Sequence, residues 1–408
     1  MSSAVATPVR QATKAVYAAF IMLGFAGASW ASRIPQVRDE LSLTPSRLGL
    51  VLLAIALGSI VSLPLAGQIV AHFGSRRTVT TMAVILFFAI CGVAVGYQYG
   101  VVPVVLALFC FGFANGAWDV AMNVQGAVVE RRVGRAIMPR FHAGFSVGTV
   151  AGALVGALAV AVHLSVTIHL LAVAAVVAVV VIVAVRSFGP DADPADVVPD
   201  EPAHAGAAPS SGLSRTLATW REPRTVLIGF FVLAFAFTEG VGIDWISVAM
   251  IDGSGVPATV GTLAFAVFLA AMTTGRWFGP AWLDRFGRVP VVRVLAVVSV
   301  AGLALFVFGP WPAVAFAGAL LWGFGASLGF PVGMSAAADD PAHAAPRVSV
   351  VATIGYCAFL GGPPLIGFLG DHFTVLKALL AVMVLLVVAI TLANSIRPLA
   401  HPAPGSGR

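Results

Sequence analysis

Apolar runs of about 20 residues recur along almost the whole chain, each long enough to cross a hydrocarbon core about 30 Å thick. Inside lipid no water satisfies backbone N–H and C=O groups, so such runs must close their own hydrogen bonds as helices. Twelve fit the sequence, at 15–33, 47–70, 78–97, 101–125, 138–161, 165–186, 225–248, 258–281, 290–309, 313–336, 347–369 and 374–395. Only 10% of the 408 residues are charged and 59% are hydrophobic, too few polar groups to coat a soluble particle of this length. The expectation is an all-α integral membrane protein. Arg10, Lys14 and the small residues Ala28 to Ala31 imitate a cleavable leader, but eleven further apolar runs favour an uncleaved first span. Cys91, Cys110 and Cys357 lie within apolar runs at no ligand spacing and read as small buried hydrophobes.

An even number of spans puts both termini on one side, and the basic residues indicate which. With the termini cytoplasmic, eighteen of the 23 Lys and Arg residues fall in inside segments. Four fall outside: Arg33, Arg38, Arg47 and Lys377. The net charge of +6 is thus mostly topology, and nucleic-acid binding is not expected. The stretch 187–223 interrupts the pattern with DADPADVVPDEPAHAGAAPSSG, which reads as a flexible cytoplasmic linker between a bundle at 1–186 and another at 224–408.

The two halves repeat each other. Ala71 of GQIVAHFGSRR aligns with Asp284 of WLDRFGR, Gly112 with Gly323, and Gly152-Ala153 with Gly362-Pro363, at offsets of 213, 211 and 210. Six spans per half make this a parallel repeat about an axis along the membrane normal. With these marks the chain resembles the major facilitator superfamily over essentially its whole length. Asp284-Arg285-Phe286-Gly287-Arg288 is similar to that family's signature loop after the second helix of each half. The first copy keeps Gly67, Gly74, Arg76 and Arg77 but carries Ala71 where the family usually has an aspartate. ASWASRIPQVRDELSL, DVAMNVQ, RFHAGFSVG and LGGPPLIG further resemble a bacterial subgroup that includes the rhizopine-locus membrane protein, near the fucose-permease branch. The resemblance implies a multi-pass transporter of the bacterial cytoplasmic membrane that rocks two six-helix bundles about a central site.

Of seventeen acidic residues only Asp119, Glu239 and Asp244 fall within the spans. A charged, unpaired carboxylate at mid-membrane costs about 2.5–3.5 kcal/mol on insertion scales, so each must face a cavity, find a partner or carry a proton. Asn115, Asp119 and Asn123 lie four apart and form one slowly winding stripe, with Trp118 and Met122 beside it. The stripe suits a central cavity; a hydrogen-bonded seam against a neighbouring helix is the bland alternative. Glu239 and Asp244, five residues apart, point about 140° from each other and are expected not to face one solute together. Glu239 is the better proton candidate, while Asp244 and Trp245 suit an outer vestibule or an interfacial cap.

Trp30 and Arg33 close the first span. Arg33 suits steering an anion or pairing with Asp244, or snorkels to the interface. His142 suits pairing with Asn123 or shuttling protons, or plain packing. Arg276 lies inside a span, some eight residues before Asp284, and is expected to bond to carbonyls or a carboxylate near the inner gate. Glycines and the Arg/Asp sets of the two loops are read as gating latches. Gly148-x-x-x-Gly152-Ala153-x-x-Gly156-Ala157 resembles a degraded antiporter motif and points toward export. Gly323-Phe-Gly325 lies mid-membrane without a preceding strand, and no Walker loop, HExxH or nucleophile elbow is present, so neither enzyme activity nor a cofactor is expected. The resulting expectation is a monomeric secondary transporter, with proton-driven export of a small organic compound preferred. Proton symport of a sugar-like polyol is the rival, and a non-transporting sensor the remoter one.

Overall fold

The computed structural model describes residues 3–134, 137–191, 219–340 and 343–399. The linker residues 192–218, and with them Arg215, lie outside this set, as do Arg135 and Arg408. In chain order the helices are α1 (Ser3–Ala31), α2 (Ile34–Glu40), α3 (Pro45–Gly96), α4 (Val101–Val133), α5 (Met138–Ala161) and α6 (Val166–Ala184). After the linker come α7 (Pro223–Ser254), α8 (Ala258–Phe286), α9 (Arg288–Phe308), α10 (Pro312–Ala326), α11 (Gly329–Ala337), α12 (Ala344–His372), α13 (Val375–Ala378) and α14 (Leu380–Leu392). Local chemistry sets many ends. Thr44 and Ser165 accept the N–H groups of Arg47 and Ile168, and left-handed Gly134 and Gly255 stop α4 and α7.

Eleven helical rods among the described residues are long and apolar enough to cross a membrane, not twelve. The difference is α3, whose 52 residues would run about 78 Å if straight, more than twice the hydrocarbon core. It is not straight. Gly74 has φ 79° and ψ 158°, a conformation glycine adopts without strain, and the chain reverses there. Gly58 packs against Phe109 and Phe113 of α4 while Gly92 packs against Ala107, so both arms of α3 pass the same level of α4. Twelve crossings result. Gly287, at the repeat-equivalent position between α8 and α9, has nearly the same conformation, φ 80° and ψ 164°.

The repeat extends to packing. A methyl group on Gly112 would collide with the carbonyl of Ile55, and one on Gly323 with the carbonyl of Phe268. The same two helices therefore touch at the same point in each half. Small residues set this close approach, because in lipid helices associate by van der Waals contact without a hydrophobic drive. The outward surface carries side chains such as Phe88, Leu106, Val179, Val294 and Val384, as a lipid-facing surface should. Cys110 and Cys357 are exposed and Cys91 is half-buried, correcting the expectation that they are core residues. Three crossings are broken: at Ser32-Arg33, at Ser327-Leu328 and at Leu379.

Candidate functional site

A cavity of about 370 Å3 lies between the halves. Asn115 and Asp119 of α4 line it with Trp30 of α1, Ser59 of α3 and Thr149 of α5; the second half contributes Glu239, Asp244, Arg276 and Tyr356. The rest of the lining is largely aliphatic and aromatic. On the face that carries the arginine-rich loops, a second space of about 930 Å3 borders Arg140, His142, Trp277, Asp284 and Arg288. The two spaces share Phe145, Glu239, Thr273, Arg276 and Phe359 as lining, so the larger one forms a vestibule to the central cavity.

The three carboxylates differ in company. Glu239 Oε2 accepts from Arg276 Nη2 at 2.7 Å. The Arg276 Nε also donates to the Ser327 carbonyl at 3.3 Å, an acceptor at the break between α10 and α11. Asp119 meets no cation among the described residues. Its partner is Asn123, whose Nδ2 donates to its backbone oxygen at 2.8 Å and to Oδ1 at 3.2 Å. Asp244 has no hydrogen-bond or ion-pair partner among the described residues.

Several expected positions fall elsewhere. Glu239 and Asp244 do border one cavity, since it wraps across the face formed by Glu239, Gly240, Ile243 and Asp244. Asn123 turns back onto Asp119 and lines neither space. Trp118 and Trp245 are fully buried among helices and line neither space. Arg33 neither snorkels nor meets Asp244: 2% exposed, it donates through Nε to His169 Nδ1 at 2.9 Å and through Nη2 to the Leu164 carbonyl at 3.0 Å. His142 is exposed in the vestibule, edge-on to Phe20, and makes no bond to Asn123.

The two faces are closed differently. Opposite the arginine-rich face, Arg38 makes a two-pronged pair with Asp252 at 2.5 and 3.0 Å, joining α2 to α7. Asp371 at the end of α12 accepts from the Ser46 N–H at 3.3 Å and the Thr44 hydroxyl at 3.4 Å, placing a negative charge on the positive end of α3. A methyl on Gly49 would meet the Pro363 carbonyl, so α3 and α12 run in close contact there. These contacts tie one half to the other. None was singled out in the sequence.

On the arginine-rich face the ion pairs seen among the described residues lie within the second half. Asp339 accepts from Arg288 at 2.6 Å and Arg224 at 3.0 Å. Arg347 pairs with Glu222 at 2.7 Å and holds that carboxyl below the usual range. Asp284 and the exposed Arg76 and Arg77 make no ion pair among the described residues, and Arg285 lies over the Phe286 ring. A methyl on Gly67 would meet open space, so close approach is not its role in this arrangement. Where the first signature loop lacks an acid at Ala71, Asp191 supplies one: its Oδ2 accepts the Ser75 N–H at 2.6 Å, its Oδ1 accepts the Ser75 hydroxyl, and Gln125 reaches it at 3.2 Å with its amide nitrogen turned inward.

Residues 15–359 match the model of the Major Facilitator Superfamily. The chain is 30% identical over 366 residues to the uncharacterized transporter y4wD of Sinorhizobium fredii, covering 88% of this chain and 92% of that one. It is 27% identical over 367 residues to the membrane protein MosC of Rhizobium meliloti, covering 89% and 85%. That is the subgroup the sequence strings resembled. The crystal structure of the nucleoside transporter NupG superposes with a TM-score of 0.71 at 15% identity, covering 95% of this chain and 98% of that one, and shares its fold. The chain belongs to the Major Facilitator Superfamily, as a multi-pass secondary transporter and not an enzyme.

Proposed function

We propose that this transporter is a proton-driven antiporter that exports a small organic compound across the bacterial cytoplasmic membrane, acting as a monomer with both termini in the cytoplasm. Residues 1–186 and 224–408 are the two moving units, with 187–223 as their tether. The arginine-rich face is cytoplasmic by the charge bias of its loops. The arrangement described above is then inward-facing: a vestibule leads from the cytoplasm to the central cavity, and Arg38–Asp252 with Asp371 holds the outer side shut. The outer closure must break and an inner one form for cargo to leave, and in this reading Asp284, Arg76, Arg77, Arg285, Arg288, Gly67, Gly74 and Gly287 shape that inner closure.

The observation that carries the reading is Asp119, a carboxylate with no cation partner among the described residues, in the wall of a cavity that shares lining with the vestibule on the arginine-rich face. Glu239 is the weaker proton candidate because Arg276 already neutralises it. A ligand shifts a two-state equilibrium only through unequal affinity for the two states. Proton and cargo competing for Asp119 supply that inequality: a proton entering from outside displaces cargo, and cargo binding from the cytoplasm displaces the proton. Proton symport remains a second reading, favoured by the amide and hydroxyl groups of Asn115, Ser59, Thr149, Thr273 and Tyr356 around the cavity, which suit a hydroxyl-rich solute.

The test uses inside-out vesicles with an acid interior and a bacterial small-molecule extract outside. Antiport concentrates at least one compound inside only while the pH gradient lasts, and Asp119→Asn, normally inserted, abolishes that accumulation. Net movement in the opposite sense establishes symport. Undiminished gradient-driven accumulation by Asp119→Asn removes the proposed proton site.

A further inference from the structure

The charges around the cavity do not balance, and their imbalance indicates the cargo. Four strongly ionisable side chains line it: Asp119, Glu239, Asp244 and Arg276. The single cation is committed to Glu239 at 2.7 Å, which leaves one acid on each side of the cleft, Asp119 on α4 and Asp244 on α7. Arg33, the next cation along the wall beyond Trp30, is engaged by His169 and Leu164 and does not line the space. Tyr356, the remaining titratable lining group, contributes a phenol.

We infer that the cargo is a small organic cation, an amine protonated at neutral pH, held between Asp119 of the first half and Asp244 of the second. This deepens the export reading above and rests on the same cavity. As the halves close around the cavity and water leaves it, two ionised carboxylates repel each other and oppose closure, whereas a single ammonium between them satisfies both and draws the halves together. Phe111, Phe145, Phe265 and Phe359 are among the lining residues, and aromatic rings attract a cation while shielding its carbon skeleton from water. An anion would meet two like charges with its only counter-charge already paired. The volume, about 370 Å3, lies near the small end for ligand cavities and suits a small molecule.

The probes are three compounds of one skeleton: cyclohexylamine, cyclohexanol and cyclohexanecarboxylate, each at equal concentration with purified transporter at pH 7. A ligand that binds the folded state raises its melting temperature by mass action. The expected result is a rise of a few degrees with the amine alone, reduced by Asp119→Asn and by Asp244→Asn but retained in Thr274→Ala, an exposed position on α8 outside the cavity lining. An equal or larger rise with the alcohol or the carboxylate, or no rise with the amine, overturns the inference. So does an amine effect that survives both Asn substitutions. The export reading has a separate readout: a neutral compound concentrated by the pH gradient would keep proton antiport and sink only the cationic cargo.

Discussion

Cutting the outer latch should tip the protein toward the opposite state. The pair Arg38–Asp252 has two hydrogen bonds, with Arg38 only 11% and Asp252 39% exposed at the side chain. Exposed pairs contribute about 0.2–1 kcal/mol, and a two-pronged pair with one shielded partner belongs near the upper end, about 1 kcal/mol. Asp371 on the first turn of α3 adds about another 1 kcal/mol as a cap and a dipole partner. The two contacts share no group, so their losses should roughly add. Removing both in Arg38→Ala/Asp371→Ala therefore shifts the equilibrium by about 2 kcal/mol, roughly thirtyfold, away from the inward-facing state. Spin labels at the exposed outer positions Glu40 and Ser254, with Cys91, Cys110 and Cys357 first replaced, read the separation of the halves directly. A long-distance population should appear in the variant and shrink when Arg38→Asp is combined with Asp252→Arg in place of the broken pair. An unchanged distance distribution would refute the assignment of these contacts as the outer closure.

Breaking the cavity ion pair from one side should be worse than removing both charges: Arg276→Met leaves Glu239 uncompensated and should cost about 2–3 kcal/mol, while Arg276→Met/Glu239→Gln recovers most of it in thermal melts of the detergent-solubilised protein. Gly112→Ala drives a methyl into the Ile55 carbonyl and should cost about 1–3 kcal/mol, whereas Gly67→Ala, facing open space, should melt within about 0.5 kcal/mol of the native chain. Asp191→Ala strips the partner from the Ser75 N–H. It should speed hydrogen exchange at the start of the second arm of α3 about fivefold, as expected for the loss of a cap worth about 1 kcal/mol.

The fold was written in the sequence because lipid enforces it. Run length, arginine placement and the repeat gave twelve crossings. The helix reversal at Gly74 falls between the second and third spans, at the position the repeat offset pairs with Gly287, and both glycines take the same non-helical conformation. Individual side chains were harder to place. Trp118 shares a face with the polar stripe but is fully buried among helices, and no periodicity distinguishes a cavity wall from a helix contact one turn away. Arg33 looked like an interfacial residue because sequence proximity does not reveal that α6 brings His169 beside it. The outer latch did leave a signal. Arg38 and Asp252 stand 214 residues apart, close to the repeat offset, and residues related by a two-fold axis meet each other when they lie near it. Opposite charges at equivalent positions are what such a contact needs. Asp191 left none, since its replacement of an acid missing at Ala71 depends on where the chain after α6 turns.

The most direct check on alternating access around this cavity needs no knowledge of the cargo. A single cysteine at Asn115, in a chain without its native three, is challenged with a membrane-impermeant thiol reagent from either face of sealed vesicles. In the otherwise native chain it should react rapidly from the arginine-rich face and slowly from the other, and Arg38→Ala/Asp371→Ala should shift that preference toward the other face. Equal reactivity from both faces, or a preference indifferent to the latch, would contradict the account.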